Sequence, residues 1–157
     1  PIFLRKKNKD VLPITDISMT RFNITLNESI DFVLLAIKKM WGGEIFVPKI
    51  PSYRVIDVAK AISSKTKIKY TGIRPGEKLH EEMISQSDAM NTIEFKDYFV
   101  IIPNSKSIAW NIKKYLKLNK PGKICSREFS YNSKNNKDYL SISQLKKLIQ
   151  KNQKDFE

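Results

Sequence analysis

A single cysteine and a single histidine in 157 residues remove two chemistries at once. Cys125 has no partner for an internal disulfide, and together with His80 it offers too few ligands for a zinc site, so no metal is expected. Five glycines, Gly42, Gly43, Gly72, Gly76 and Gly122, are too scattered to build a glycine-rich loop over a pyrophosphate. Apolar runs such as Phe32-Val33-Leu34-Leu35-Ala36-Ile37 fall far short of the roughly 20 residues that cross a bilayer, and no secretory leader is recognisable. The low cysteine content points to the cytoplasm.

Acidic residues are also scarce, 16 against 29 lysines and arginines, which gives a net charge of +13. Clustered cations of that number can neutralise nucleic-acid phosphates. Here, however, the lysines are dispersed through Lys6-Lys7, Lys38-Lys39, Lys113-Lys114, Lys134 and Lys146-Lys147, mostly on solvated helix positions, with no stacking platform or groove-reading helix. No nucleic-acid partner is expected. A positive field still suits an acidic small molecule. The 41% hydrophobic and 29% charged content describes a globular chain, and its length fits one domain with a sizeable core.

Periodicity gives an alternation of strands and helices. Thr25-Leu26-Asn27-Glu28 is a capping-box pattern that opens a helix to about Met40, with Ile30, Val33, Leu34 and Ile37 in one stripe and Gly42-Gly43 as its stop. A strand from Glu44 to Val47 follows, then a helix from Val55 to Ser63 with Val55, Val58, Ala59 and Ile62 inward. Phe95 to Ile102 reads as one strand, Ser105 to Leu118 as a helix, Asn119-Lys120-Pro121-Gly122 as a turn, and Ser141 or Ser143 to Lys151 as a final helix. Pro1 stands within a further helical pattern that leads into Leu12.

The segment from Gly72 to Glu81 carries the most chemistry. Lys67-Ile68-Lys69-Tyr70-Thr71 alternates as a strand, so Arg74 leaves its end; Pro75 fixes φ, Gly76 permits a sharp turn, and Glu77 opens a charged helix with Leu79, Met83 and Ile84 buried. An arginine fork matches two phosphate oxygens, and a carboxylate beside it can accept from sugar hydroxyls. An ordinary loop in which Arg74 and Glu77 pair with each other or with solvent accounts for these residues equally well. His80, beside Glu81 and Glu82 on that helix, could serve as a base or ligand, but it reads first as a helix-surface histidine paired with those carboxylates.

The segment Ile73-Arg74-Pro75-Gly76-Glu77-Lys78-Leu79-His80-Glu81 resembles the substrate-binding end of the bacterial nucleotide-sugar dehydratases that act on UDP-N-acetylglucosamine, members of the extended short-chain dehydrogenase/reductase superfamily. Leu12-Pro13-Ile14-Thr15-Asp16 with Met19-Thr20-Arg21-Phe22, Gly42 to Ser52, and Glu94 to Ile101 resemble further blocks of that family in the same order, over residues 1 to 103. Ile56 stands where the family has a small capping hydroxyl. Phe129 to Leu145 is similar to the tail of related dehydratases and epimerases, where Tyr131 and Asn132 pack by default, or else touch a neighbouring subunit or the substrate loop.

The resemblance implies an α/β fold, the C-terminal part of an NAD(P)-binding Rossmann-type enzyme and mainly its substrate-binding lobe. Residues 1–118 would form the substrate-binding portion and residues 119–157 a tail ending in a helix. Arg21 and Arg74 would grip the diphosphate of a UDP-sugar, Thr20 would sit beside them, and Glu77 would take a ribose hydroxyl. The implied parent is a UDP-N-acetylglucosamine 4,6-dehydratase of surface-polysaccharide or nonulosonic-acid biosynthesis, an NADP-dependent lyase and homo-oligomer that oxidises C4, eliminates water and reduces the product. The family's Tyr-x-x-x-Lys pair is absent, since Tyr53, Tyr70, Tyr98, Tyr115, Tyr131 and Tyr139 are followed four residues on by Asp57, Arg74, Ile102, Asn119, Asn135 and Ser143. No residue here is expected to be catalytic or to bind the cofactor, and the chain alone is expected to be inactive. A UDP-sugar 4-epimerase and a non-catalytic binding module are the alternatives. The stripe on the Leu26–Met40 helix would face the dinucleotide-binding half, which predicts marginal stability or self-association of this chain alone.

Overall fold

The computed structural model describes residue 3 and residues 11–63, 67–103, 110–119 and 121–152. The helical pattern at Pro1, most of the expected Ser105 helix start and Lys120 of the expected turn lie outside these residues. The fold is α/β, as the resemblance implies, and divides into two compact units.

The first unit comprises residues 1–23, 51–81 and 133–157. Strand β1 (Val11–Ile14) runs parallel to β5 (Lys67–Tyr70), and β2 (Thr20–Phe22) pairs antiparallel with β4 (Ser52–Arg54), setting Arg21 opposite Tyr53. Helix α2 (Val55–Ile62) packs on β1 and on the terminal helix α4 (Ile142–Lys151). Leu12, Ile14, Ile56 and Ala59 form its buried core. Ile56 therefore points inward, whereas the periodicity placed Val58 there and left Ile56 out; Val58 is only half-buried. In place of a capping hydroxyl, Arg54 closes a two-toothed ion pair on Asp57 (2.7 and 3.2 Å) and the Val55 N–H donates to Met19 O (3.0 Å).

The second unit comprises residues 24–50 and 82–132. Its antiparallel sheet runs β3 (Ile45–Pro48), β8 (Tyr98–Ile101), β7 (Thr92–Glu94), β9 (Lys123–Ile124), with β6 (Glu82–Ile84) paired to β10 (Tyr131–Asn132) apart from it. The single strand expected from Phe95 to Ile102 is instead the second arm of a hairpin. Phe95 N–H donates to Tyr98 O across the turn, and Phe95 lies stacked on Tyr98 (5.0 Å between rings) in the core. Tyr131 is packed, its hydroxyl bonded to both Ile50 N (2.9 Å) and Ile50 O (3.0 Å).

Helix α1 (Leu26–Lys39) has the complete capping box predicted from Thr25 and Glu28. Phe32 and Leu35 rest on the core of Ile93, Phe95, Tyr98, Val100, Ile102 and Tyr115. The stripe of Ile30, Val33, Leu34 and Ile37 lies on the other side, 49–60% exposed. Helix α3 (Ile112–Leu118) places Tyr115 at the centre of an aromatic cluster with Trp41, Trp110 and Phe95.

Gly122 is fixed by space rather than by backbone. A Cβ there would meet Phe95 Cε1 at 2.6 Å and Leu116 Cδ2 at 3.0 Å. Phe95 is stacked and buried, so it cannot swing aside. Gly122→Ala is expected to cost about 1–2 kcal/mol by overpacking. A urea titration following tryptophan fluorescence reads this directly, since Trp41 and Trp110 belong to that cluster.

Candidate functional site

The residues singled out by sequence all fall in the first unit, on β2 and on the segment after β5. Arg74 to Glu77 is a tight turn: Glu77 N–H donates to Arg74 O (3.0 Å), Pro75 holds the second position, and Gly76 takes φ +81° at the third. Glu77 then turns back. Its carboxylate accepts from Arg74 N (3.2 Å) and from Thr15 Oγ1 (3.4 Å). Glu77 is thus partly occupied by backbone, and the Arg74 guanidinium, exposed, makes no ion pair among the described residues.

No helix follows this turn. Residues 77–81 run without regular structure into β6, so the expected helix with Leu79, Met83 and Ile84 on one side is corrected. The cause lies across the chain. Leu79 O accepts from Thr20 N (3.1 Å), and Glu81 O accepts from Ser133 N (2.7 Å), bonds that tie the segment to β2 and the tail and that an α-helix would forfeit.

Arg21 is held by this same segment. Its Nη1 donates to Thr20 O (2.7 Å) and Leu79 O (3.2 Å), and its Nε lies 3.6 Å from Glu81 Oε1. Glu81 Oε2 in turn accepts from Phe22 N (2.8 Å). Arg21 is therefore a pre-positioned cation with Nη2 unused among the described residues, whereas Arg74 is an unanchored one. Tyr53, opposite Arg21 on β4, has its phenol pushed up by burial and by Glu81, with Arg21 opposing.

Thr20 lies deeper than a surface contact, 4% exposed. Its hydroxyl is 2.9 Å from His80 Nδ1 and 2.7 Å from Ser133 Oγ, and Ser133 Oγ accepts from Glu81 N (2.9 Å). His80 is consequently not a helix-surface residue paired with carboxylates. It is docked on β2. Burial holds its imidazole below the usual histidine range, with Lys134 and Arg21 adding to the effect and Asp16 opposing it. Sequence reasoning missed Ser133 altogether, because the partner of Thr20 lies 113 residues away.

The tail is tied to the same place. Ser52 N–H donates to Asp138 O, Leu140 N–H donates to Ser52 O (both 2.8 Å), and the Tyr139 hydroxyl donates to Ser133 O. No group of histidine, cysteine and carboxylates suited to a metal occurs among the described residues, and no helix among them is long and apolar enough to cross a membrane.

Residues 1–103 match the model of the polysaccharide biosynthesis protein family. The chain belongs to that family. Among curated members, a UDP-N-acetylglucosamine 4,6-dehydratase (inverting) from Campylobacter jejuni is 44% identical over 139 residues, which is 88% of this chain and 42% of the relative. A UDP-glucose 4-epimerase from Rickettsia conorii is 34% identical over 154 residues, covering 95% of this chain and 44% of that protein. The X-ray structure of Pen from Bacillus thuringiensis superposes with a TM-score of 0.78 at 27% identity, over 98% of this chain and 45% of that one. This polysaccharide biosynthesis family chain therefore spans less than half the length of these relatives. Its α/β fold and its kinship with nucleotide-sugar dehydratases and epimerases of the short-chain dehydrogenase/reductase type stand on these matches.

Proposed function

We propose that the chain is the UDP-sugar-binding portion of a cytoplasmic UDP-N-acetylglucosamine 4,6-dehydratase, residues 1–118 carrying the grip and residues 119–157 the tail. The observation that carries the reading is the pair of arginines on one unit, Arg21 anchored on β2 and Arg74 at a rigid turn with no ion pair among the described residues. A diphosphate supplies the anion for both, each contact contributing about 1.5–3 kcal/mol as a charge-assisted hydrogen bond. Glu77, turned back toward Thr15 and the Arg74 backbone, keeps lone pairs for a ribose hydroxyl. The higher identity to the dehydratases than to the epimerases favours elimination over epimerisation as the parent reaction.

NADP would supply the hydride chemistry of such an enzyme. The residues here do not fit it, since the five glycines form no phosphate loop and no tyrosine has a lysine four residues on. The role of this chain is to bind and orient the sugar nucleotide, in a parent that is homo-oligomeric.

Isothermal titration of the chain with UDP, uridine and a single-stranded RNA tests the reading. UDP should bind at least tenfold more tightly than uridine, because the arginines address phosphate. Binding of RNA with none of UDP would instead mark a non-catalytic binding module.

A further inference from the structure

The proton inventory around Thr20 has one arrangement that satisfies every group. Ser133, 0% exposed, accepts the Glu81 N–H at Oγ and has one proton to give, and the acceptor within reach is Thr20 Oγ1 (2.7 Å). Thr20 then gives its own proton to His80 Nδ1 (2.9 Å), which must present a lone pair. The chain of donors thus runs from Glu81 N through Ser133 and Thr20 to the imidazole. The opposite arrangement, with Nδ1–H donating to Thr20 and Thr20 to Ser133, leaves the buried Ser133 proton without an acceptor among the described residues, which disfavours it roughly tenfold or more.

With Nδ1 used as an acceptor, the ring proton sits on Nε2, on the far side of the imidazole from buried Thr20. Among the described residues Nε2 has no hydrogen-bond partner. The charged groups acting on the ring are Lys134, Arg21 and Asp16. Asp16 is already engaged, accepting from Ser18 N (2.7 Å) and from the Ser18 hydroxyl. Lys134 and Arg21 thus act on the ring as cations against Asp16, and the Nε2–H is left to donate to an acceptor such as a phosphate oxygen.

We propose that His80 is a further binding residue of this site, offering its Nε2–H from a neutral imidazole to a phosphate oxygen of a nucleoside diphosphate, with Thr20 and Ser133 as positioning residues that fix its tautomer. The inference rests on the nucleotide-sugar reading above and adds a donor to it. Thr20 then serves the ligand through His80 rather than by contact. A neutral donor beside two cations grips phosphate without adding a third like charge to the unliganded site.

His80 is the sole histidine of the chain, so its ring nitrogens are unambiguous in long-range proton–nitrogen NMR correlations. The free chain should show the Nε2–H tautomer, and Thr20→Val and Ser133→Ala should each give a mixture. Addition of UDP should raise the midpoint of the His80 pH titration, because a bound phosphate dianion favours the imidazolium. Uridine, which has the base and ribose but no phosphate, should leave it in place. His80→Ala should weaken UDP binding roughly 3- to 10-fold. An Nδ1–H tautomer in the free chain overturns the proposal. So does UDP binding with an unmoved His80 titration, which leaves the nucleotide reading intact, whereas failure of UDP to bind at all removes both. The wild-type titration carries the test should Thr20→Val or Ser133→Ala fail to fold.

Discussion

Replacing Arg74 by alanine should weaken UDP binding about 10- to 100-fold and shift the melting temperature by no more than about 2 °C. The two halves of that expectation have separate physical origins. The guanidinium is exposed and unpaired among the described residues, so folding gains little from it. The same lack of partners leaves its donors for a ligand. Pro75 and the positive φ of Gly76 fix the backbone that carries it, which lowers the ordering cost of the contact. Arg21→Ala should behave differently and lower both affinity and melting temperature, because Arg21 also holds Thr20 O and Leu79 O. Calorimetric titration and differential scanning calorimetry on the two variants separate these outcomes. An unchanged affinity in Arg74→Ala would remove it from the site.

The second large effect concerns association. Ile30, Val33, Leu34 and Ile37 on α1 leave about half of each side chain in water, with Leu26 77% and Ile45 60% exposed in the same unit. A contiguous apolar face of that kind drives contact with another surface. The chain on its own should therefore self-associate at micromolar concentration, and Val33→Glu together with Ile37→Glu should weaken that association about 30- to 1,000-fold. The figure follows from about 1–2 kcal/mol of burial lost per side chain. Sedimentation equilibrium across a concentration series decides it; a wild-type chain that stays monomeric would count against the face as an interface. Helix α1 itself should survive the double substitution, because its capping box and its contacts through Phe32 and Leu35 are elsewhere.

Local chemistry was legible in the sequence and long-range pairing was not. The Thr25 capping box, the Pro75-Gly76 turn and the final helix after Ser141 are each set by residues within four positions of one another, and each is present. The errors have two causes. Charge and apolar spacing predict a helix after Glu77, but bonds to Thr20 and Ser133 keep that stretch out of one. The sequence reads as one strand across the Phe95 hairpin because a turn built on a stacked aromatic carries no glycine to mark it. For the site, residue types pointed to Arg21, Arg74 and Glu77, while the setting of Thr20 and His80 depended on Ser133 far along the chain. No pattern within one segment reveals such a bond.

The discontinuity of the first unit bears on how the protein is made. Its three segments enclose the second unit in sequence, so Thr20 emerges from the ribosome 113 residues before the serine that completes its hydrogen bonds. The second unit ends at residue 132 and has all its strands by then, whereas the Thr20 hydroxyl and the backbone of Glu81 must wait for Ser133 in the tail. Synthesis therefore delivers the β-rich unit first and completes the hydrogen-bond chain from Ser133 through Thr20 to His80 last. A nascent chain halted near residue 132 should already be folded in its central part and yet unable to present His80 in its working tautomer.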